Sequence, residues 1–261
     1  MVKVSSAIVG FAVYLAFALS VTAQPAFTEY VSSVPSSFSG KMITMDCAGA
    51  GPFNLYFSGK EDARAGVLVL HPWWGLNGWV KSVTDQLAKA GYAAYAIDLY
   101  DGRVTDDPEI AQGFYVNTAE SPEALIKMRT AAQKIRERHG KIAVVGFSMG
   151  GRQALRVATS ATVDATVIVY GYVEYDPFVL GKIAGPTLGV YGAKDPYLEP
   201  IPEMLPNFEK RMAAMGKQLE IITFDAGHAF MEPENPSFDK TSAQSAWREI
   251  NRFLFWTLML E

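Results

Sequence analysis

The segment "KIAVVGFSMGGRQAL", residues 141–155, sets one serine, Ser148, among three glycines. An apolar run typical of a buried strand precedes the serine, and apolar residues at helical spacing follow it. The residues from Gly146 to Gly150 fit the pattern G-x-S-x-G, in which a tight strand-to-helix turn carries a nucleophile. Glycine suits the positions two before and two after the serine because a Cβ atom there would clash. The alternative is a glycine-rich connection with a buried, inert serine.

Outside this segment, short apolar runs alternate with amphipathic stretches. Strands are predicted within 65–70, 93–102, 141–147, 165–171, 186–196 and 219–230, and helices within 78–92, 121–140, 150–160, 207–216 and 242–260. Ser121 is the predicted N-cap of the second helix, with Pro122 in its first turn. Two earlier runs, in 41–49 and 53–59, predict an antiparallel hairpin. Strands that are apolar on both faces and interleaved with helices indicate the α/β class: one domain with a mostly parallel sheet and helices on both faces.

Composition limits the classes of function. The chain has 261 residues, a formal net charge of −4 and no block of basic residues, so a nucleic-acid partner is not expected. Cys47 is the sole cysteine, which excludes an internal disulfide and a thiol-rich metal site. We expect no metal and no organic cofactor.

The N-terminal residues 1–23 have the pattern of a secretory signal peptide. Lys3 precedes an apolar run from Ala7 to Leu19, and small residues follow up to Ala23. The alternative is an uncleaved membrane anchor, but the run is shorter than the roughly 20 residues that span a bilayer. We therefore expect cleavage near Ala23, a mature domain of residues 24–261, export to the periplasm or the medium, and no stable membrane span after cleavage.

Histidine and aspartate residues come directly after several of the other predicted strands. In a parallel sheet, ligands bind beyond the carboxyl ends of the strands. Asp195 and His228 follow the last two strands, and the chain order Ser148, Asp195, His228 is that of an α/β-hydrolase triad. His71 also ends a strand at this edge but precedes the serine, whereas His139 lies at the wrong end of the sheet. Asp225 is a rival acid that we place second, because it lies close to His228 in the chain.

An oxyanion hole requires two backbone donors. The N–H of Met149, directly after the nucleophile, and that of Trp73, in the loop after the strand that ends at Leu70, are the candidates. Pro72 has no N–H to donate. Candidate pocket-wall residues, each of which suits a core position equally well, are Trp74, Tyr100, Met149, Tyr197 and Phe230.

Together these motifs resemble the dienelactone hydrolase family of α/β-hydrolases. The resemblance runs from about residue 41 to the last helix and rests on "VLVLHPWWGLN", "AIDLYDG", "VVGFSMGG", "GAKDP" and "AGHAF". It implies the α/β-hydrolase fold, with Ser148 in place of the usual cysteine nucleophile and Pro72 in place of the glutamate that handles the cysteine's proton. Arg103 could match one of the arginines that hold the substrate carboxylate in that family. Met231 and Glu232 stand where another arginine is expected, which argues against an anionic dienelactone.

These patterns predict a secreted serine hydrolase of small carboxylic esters or lactones that works through an acyl-enzyme. One alternative is the same triad acting on a specialised lactone or an aromatic or polymeric ester. The other is a non-catalytic exported binding protein on the same fold, because a fold alone does not imply a function.

Overall fold

The computed structural model describes residues 3–5, 30, 32–173, 176–197 and 203–259, with the backbone alone for 3–5. The strands are β1 (Lys3–Ser5), β2 (Lys41–Met45), β3 (Phe53–Ser58), β4 (Ala65–Leu70), β5 (Ala93–Ile97), β6 (Lys141–Phe147), β7 (Ala165–Val169), β8 (Thr187–Gly192) and β9 (Leu219–Phe224). The helices are α1 (Gly78–Lys89), α2 (Pro108–Phe114), α3 (Pro122–His139), α4 (Met149–Ala158), α5 (Pro177–Leu180), α6 (Met204–Ala214) and α7 (Lys240–Leu258).

The nine strands of the described residues form a single sheet in the order β1-β9-β8-β7-β6-β4-β5-β3-β2. The six strands from β4 to β9 are parallel to one another, and β2 and β3 form the predicted antiparallel hairpin at one edge. The direction of winding reverses at β4, which has β5 on one side and β6 on the other. A reversal of this kind opens a crevice at the carboxyl ends of the strands, and β6 delivers Ser148 there.

Alternate residues of the central strands pack on opposite faces of the sheet, as the twofold repeat of a strand requires. Val67 and Val69 of β4 belong to the apolar cluster that includes Trp79 of α1 and Trp247 of α7. Their neighbours Leu68 and Leu70 belong to the cluster that contains residues of α3, α4 and α6. Both faces of the sheet are therefore covered, and this confirms the predicted class.

The predicted helices are present, with small shifts at their ends. Ser121 caps α3 by accepting a hydrogen bond from the N–H of Ala124 at 3.1 Å, as expected. Helix α6 begins at Met204, three residues before the predicted start, because Pro206 lies in its first turn, where a missing N–H removes no helical bond. The short helix α5 was not predicted.

The predicted signal peptide lies mostly outside the described residues. The exception is β1, whose backbone pairs antiparallel with β9. Cleavage near Ala23 would remove β1 and leave β9 at the edge of an eight-stranded sheet. None of the helices among the described residues combines the length and the apolar character that a bilayer span requires. Near the C-terminus, Phe253, Leu254 and Leu258 are buried on the inner face of α7, whereas Trp256 is exposed.

Candidate active site

Ser148 occupies a strained turn between β6 and α4. Its φ of 53° lies in the left-handed region, which a residue with a side chain rarely adopts. Its N–H donates to the carbonyl of Val169 at 2.8 Å, and its own carbonyl accepts from the N–H of Gly151 at 2.9 Å. The turn is thus anchored on both sides, and the half-buried serine side chain remains accessible.

The two glycines of the pattern are required by close backbone approaches. A Cβ atom on Gly146 would lie 1.9 Å from the carbonyl oxygen of Gly150, and one on Gly150 would lie 2.1 Å from that of Leu70. Neither distance is compatible with a side chain. The glycines therefore allow α4 to start directly against β6 and the end of β4.

A continuous chain of hydrogen bonds links Ser148, His228 and Asp195. The Oγ atom of Ser148 lies 2.9 Å from Nε2 of His228, and Nδ1 of His228 lies 2.7 Å from Oδ2 of Asp195. Because an ionised carboxylate can only accept, Nδ1 carries the proton and Nε2 is left to accept from the serine hydroxyl. Asp195 is fully buried, and its other oxygen accepts from the N–H of Tyr197 at 2.9 Å.

The loops that carry the acid and the histidine pack tightly on each other. The N–H of Lys194 donates to the carbonyl of Ala226 at 3.0 Å. Gly192, at the end of β8, lies so close to the second loop that a Cβ atom would be 2.4 Å from the carbonyl oxygen of Ala226. These contacts join the ends of β8 and β9 and bring two residues 33 positions apart in the chain into contact.

The rival acid and the rival histidines lie elsewhere. The carboxylate of Asp225 is exposed and forms an ion pair with Lys194 at 2.8 Å, and this contact lowers its pKa. His71 is fully buried, contacts the carbonyl of its neighbour through Nδ1 and accepts from the N–H of Leu99 through Nε2, while burial lowers its pKa. His139 contacts the hydroxyl of Tyr95 and the carbonyl of Ala63, which precedes β4, so it lies at the opposite end of the sheet.

The two candidate oxyanion donors belong to adjacent segments. Met149 is the first residue of α4, so its N–H has no acceptor within the helix. Trp73 lies in a turn that is closed by a bond from the N–H of Gly75 to the carbonyl of Pro72, 3.2 Å long. This turn follows β4 directly, and the end of β4 touches the first turn of α4. Both peptide groups therefore lie at the junction of β4 and β6.

The predicted pocket-wall residues fall into two groups. Trp74 and Tyr197 are partly or largely exposed, and the ring of Tyr197 lies 4.7 Å from the imidazole of His228. Tyr100 and Phe230 have no exposed surface, so the core alternative describes their positions and substrate contact would require neighbours to move. Met149 is almost completely buried, and its sulfur atom accepts from the hydroxyl of Tyr100 at 3.1 Å.

Arg103 lies at the surface but is engaged by its surroundings. Its guanidinium group lies over the ring of Phe114 at 4.6 Å, and its Nε donates to the carbonyl of Tyr100 at 2.8 Å. These contacts hold the stem of the side chain in the segment that follows β5.

That segment is fastened to the nucleophile helix. Helix α2 runs into a π-helical turn, Tyr115–Ala119, a rare geometry that is frequent at functional sites. The carboxylate of Glu120 then accepts three bonds from α4: from Arg152 at 3.1 Å, from Gln153 at 2.9 Å and from Arg156 at 3.4 Å. The connection between β5 and α3 is thus tied to the helix that begins at the serine.

Sequence reasoning missed one residue that contacts His228. Tyr170, directly after β7, is buried and lies with its ring 5.2 Å from the imidazole in an edge-to-face arrangement. Its hydroxyl donates to Glu232 at 3.3 Å. No sequence signal identifies this contact, because a tyrosine at the end of an apolar strand suits a core position equally well.

Comparison with known proteins agrees with this architecture. The model of the dienelactone hydrolase family matches residues 53–257. A "Putative carboxymethylenebutenolidase" of Saccharolobus solfataricus is 29% identical over 254 residues, covering 82% of this chain and 97% of the relative. A "Probable 2-oxo-3-(5-oxofuran-2-ylidene)propanoate lactonase" of Bradyrhizobium sp is 30% identical, with 74% of this chain and 84% of the relative covered.

Solved structures share the fold at lower identity. A dienelactone hydrolase-like promiscuous phosphotriesterase from metagenomic libraries superposes with a TM-score of 0.71 at 24% identity, covering 84% of this chain and 99% of the other. An esterase of Pyrococcus furiosus superposes with a TM-score of 0.64 at 15% identity, covering 85% and 94%. At these identities the likeness shows the α/β-hydrolase fold alone.

Proposed function

Because the chain belongs to the dienelactone hydrolase family and is a carboxylic ester hydrolase, we propose that Ser148, His228 and Asp195 act as its catalytic triad on esters or lactones. The observation that carries the proposal is the pair of bonds through His228: 2.9 Å from Nε2 to the serine oxygen and 2.7 Å from Nδ1 to the aspartate. A serine hydroxyl is a weak nucleophile unless a base and an orienting acid stand in this relation to it.

The proposed reaction has two halves. The Oγ atom of Ser148 attacks the carbonyl carbon while Nε2 of His228 takes the hydroxyl proton, and the same proton then passes to the departing alcohol oxygen. A water molecule next attacks the acyl-enzyme, gives its proton to His228 and releases the acid, and the proton returns to the serine oxygen. Asp195 keeps the imidazole in the tautomer that accepts at Nε2 and stabilises the imidazolium.

We propose that the N–H groups of Met149 and Trp73 hold the negative oxygen of the tetrahedral intermediate. The start of α4 contributes an unpaired donor and the positive end of the helix dipole. Removing one such donor typically costs about a hundredfold to a thousandfold in kcat. Because both are backbone groups, they tolerate side-chain changes at their own positions as long as the turn keeps its shape.

The preferred substrate is proposed to be uncharged near its acyl group. Two arginines on the segments next to the nucleophile helix already have partners: Arg103 lies over Phe114, and the Nε atom of Arg152 bonds to Glu120. Glu232 brings a carboxyl group rather than a cation to the turn after the histidine. Neutral lactones and linear esters both fit this environment, and the lactonase name of the Bradyrhizobium relative favours including lactones.

We also propose that the protein is exported and that residues 1–23 are removed. The support is the sequence pattern of a basic residue, an apolar run and small residues before the cleavage point. N-terminal sequencing of the protein from cells that express the full chain should give Gln24 as the first residue. A tyrosine in place of Ala23 should block processing, whereas an unprocessed wild-type chain would contradict the proposal.

The central experiment compares wild-type protein with Ser148→Ala on p-nitrophenyl esters and on lactones of matched acyl length. The variant should lose at least about a thousandfold in kcat and should no longer react with a fluorophosphonate probe. The matched control is Ser160→Ala, because that hydroxyl bonds to the carbonyl of Arg156 at the far end of α4. Turnover by Ser148→Ala equal to that of the wild type would refute the proposed nucleophile.

A further inference from the structure

Glu232 is a buried carboxyl group that the proposed reaction does not use. Glu232 lies in the turn after His228, and its backbone N–H donates to the carbonyl of Ala229 at 2.8 Å. The residue is 6% exposed. The partner of its carboxyl group is the hydroxyl of Tyr170, which donates to Oε1 at 3.3 Å. Burying a carboxyl group is unfavourable unless it gains compensating contacts, so its place beside the triad calls for an explanation.

Tyr170 connects this carboxyl group to the catalytic histidine. Its φ of 40° places it in the left-handed region, and its N–H donates to the carbonyl of Val190 in β8 at 2.7 Å. Its ring lies edge-to-face with His228 at 5.2 Å and with Phe230 at 5.6 Å. The backbone at this point is therefore fixed by β8, while the ring is held among aromatic neighbours and by its hydroxyl.

The imidazole of His228 needs support besides its two hydrogen bonds. The bonds at Nδ1 and Nε2 fix two atoms but allow the ring to tilt about the line between them. Tyr197 contacts one part of the ring, yet it is 65% exposed and can move with solvent. Of the two rings that contact the imidazole among the described residues, that of Tyr170 is the buried one, so it is the fixed surface against which the imidazole packs.

We propose that Glu232 is a positioning residue: by holding the hydroxyl of Tyr170, it fixes the ring against which His228 packs and so keeps Nε2 aimed at Ser148. This inference rests on the proposed function, because it assumes that His228 is the catalytic base. Glu232 touches neither the substrate nor the reacting atoms and acts through Tyr170.

The charge state of Glu232 gives the proposal a pH signature. Burial raises its pKa to about 8, so the carboxyl group is protonated at neutral pH. Within the described part of the chain, the titratable groups near it are Tyr30, Tyr170 and, beyond Tyr170, Asp195 and His228. Ionisation in alkaline solution would leave a negative charge buried in this turn, which disfavours the packed arrangement. The positioning effect should therefore weaken above about pH 8.

The test uses four single variants and one double variant of the full protein, with a p-nitrophenyl ester as substrate. Glu232→Leu removes the acceptor, Glu232→Gln keeps an acceptor that does not ionise, and Tyr170→Phe removes the donor but keeps the ring. The fourth, Glu234→Gln, is the matched control, because this exposed carboxylate lies in the same turn. Steady-state kcat and KM are measured from pH 6 to 9.5, and circular dichroism confirms that each variant is folded at the assay temperature.

We expect kcat of Glu232→Leu and Tyr170→Phe to fall about tenfold with KM within about twofold, since small displacements of a catalytic group are costly. Glu232→Gln should stay within about threefold of wild type at pH 7 and should keep its activity at pH values where the wild type declines. The double variant Tyr170→Phe/Glu232→Leu should be no worse than either single change, because both remove the same contact. Glu234→Gln should match the wild type throughout.

Three results would overturn the inference: wild-type kcat in folded Glu232→Leu and Tyr170→Phe, a loss that appears entirely in KM, or an alkaline decline in Glu232→Gln identical to that of the wild type. If Glu232→Leu does not fold, Glu232→Gln and Tyr170→Phe decide the matter. A failure of the proposed function looks different, because Ser148→Ala would then retain wild-type turnover, and the inference about Glu232 would fall with it.

Discussion

Two buried carboxyl groups are linked to His228, Asp195 directly and Glu232 through Tyr170, and their surroundings differ. Asp195 accepts two N–H bonds, one from the imidazole at 2.7 Å and one from the backbone of Tyr197 at 2.9 Å. Glu232 accepts from the neutral phenol of Tyr170, and burial raises its pKa to about 8. The carboxyl group bonded directly to the histidine is thus held by two N–H donors, whereas the one that acts through Tyr170 is suited to stay protonated. For Glu232, burial is the main cause of the raised pKa, and the single hydroxyl donor of Tyr170 offsets only part of it.

The largest expected effect comes from a change at Asp195. Asp195→Asn should lower kcat by about a thousandfold to ten-thousandfold, because an amide can donate to Nδ1 and so favour the tautomer that cannot accept from Ser148. Steady-state kinetics at pH 7 measures it, and circular dichroism checks that the fold is retained. A loss of less than about tenfold would mean that Asp195 does not orient the histidine.

The two tyrosines that flank the imidazole provide the next contrast. Tyr170→Ala should lower the free energy of unfolding by about 3–5 kcal/mol, because it empties a fully packed site. Tyr197→Ala should change that free energy by less than about 0.5 kcal/mol, since the side chain is 65% exposed. Urea unfolding of both variants makes the comparison. Equal losses would contradict the division into a buried support and an exposed contact.

The raised pKa of Glu232 predicts a specific dependence of the protein's stability on pH. The pKa of Glu232 rises from 4.5 to about 8 on folding, so the folded protein retains a proton that the unfolded chain releases. The stabilising contribution is present below pH 4.5 and is lost as the pH rises towards 8. Glu232→Gln should remove this slope and gain roughly 2–4 kcal/mol relative to the wild type at pH 8. Urea midpoints of both proteins at pH 5 and pH 8 measure this difference. An equal change in midpoint between the two pH values for the wild type and for Glu232→Gln would contradict the prediction.

The sequence predicted the role of Asp195 and did not predict the contact of Glu232 with Tyr170, for a physical reason. Ser148, Asp195 and His228 are chemically conspicuous residue types at the ends of strands, and the rule that parallel strands share an edge brings them together. Tyr170 and Glu232 are linked by side-chain packing across 62 residues, and no periodicity encodes such a contact. Glu232 drew notice from the sequence only as a residue that stands where the family pattern expects arginine.

The fold class, a mostly parallel sheet with helices on both faces, was likewise predictable, because apolar strands and amphipathic helices follow simple periodicities. The bounds of irregular elements were not. The π-helical turn at Tyr115–Ala119 has no local sequence signal, and its neighbour Glu120 is held by three side chains of α4. Burial of Tyr100 and Phe230 also depends on tertiary packing, and an aromatic residue near a strand end suits a core as well as a pocket wall.

The smallest expected effect concerns the rival acid. Asp225→Asn should leave kcat/KM within about twofold of wild type and the unfolding midpoint unchanged, because an exposed ion pair contributes little in water. The carboxylate faces Lys194 at 2.8 Å, whereas Nδ1 of His228 is bonded to Asp195. The test compares kcat/KM of Asp225→Asn with that of Asp195→Asn, since the two changes are chemically identical and differ only in position. If Asp225→Asn caused the larger loss, Asp225 would be the orienting acid. The comparison with Glu232 would then be between Glu232 and Asp225 instead of Asp195.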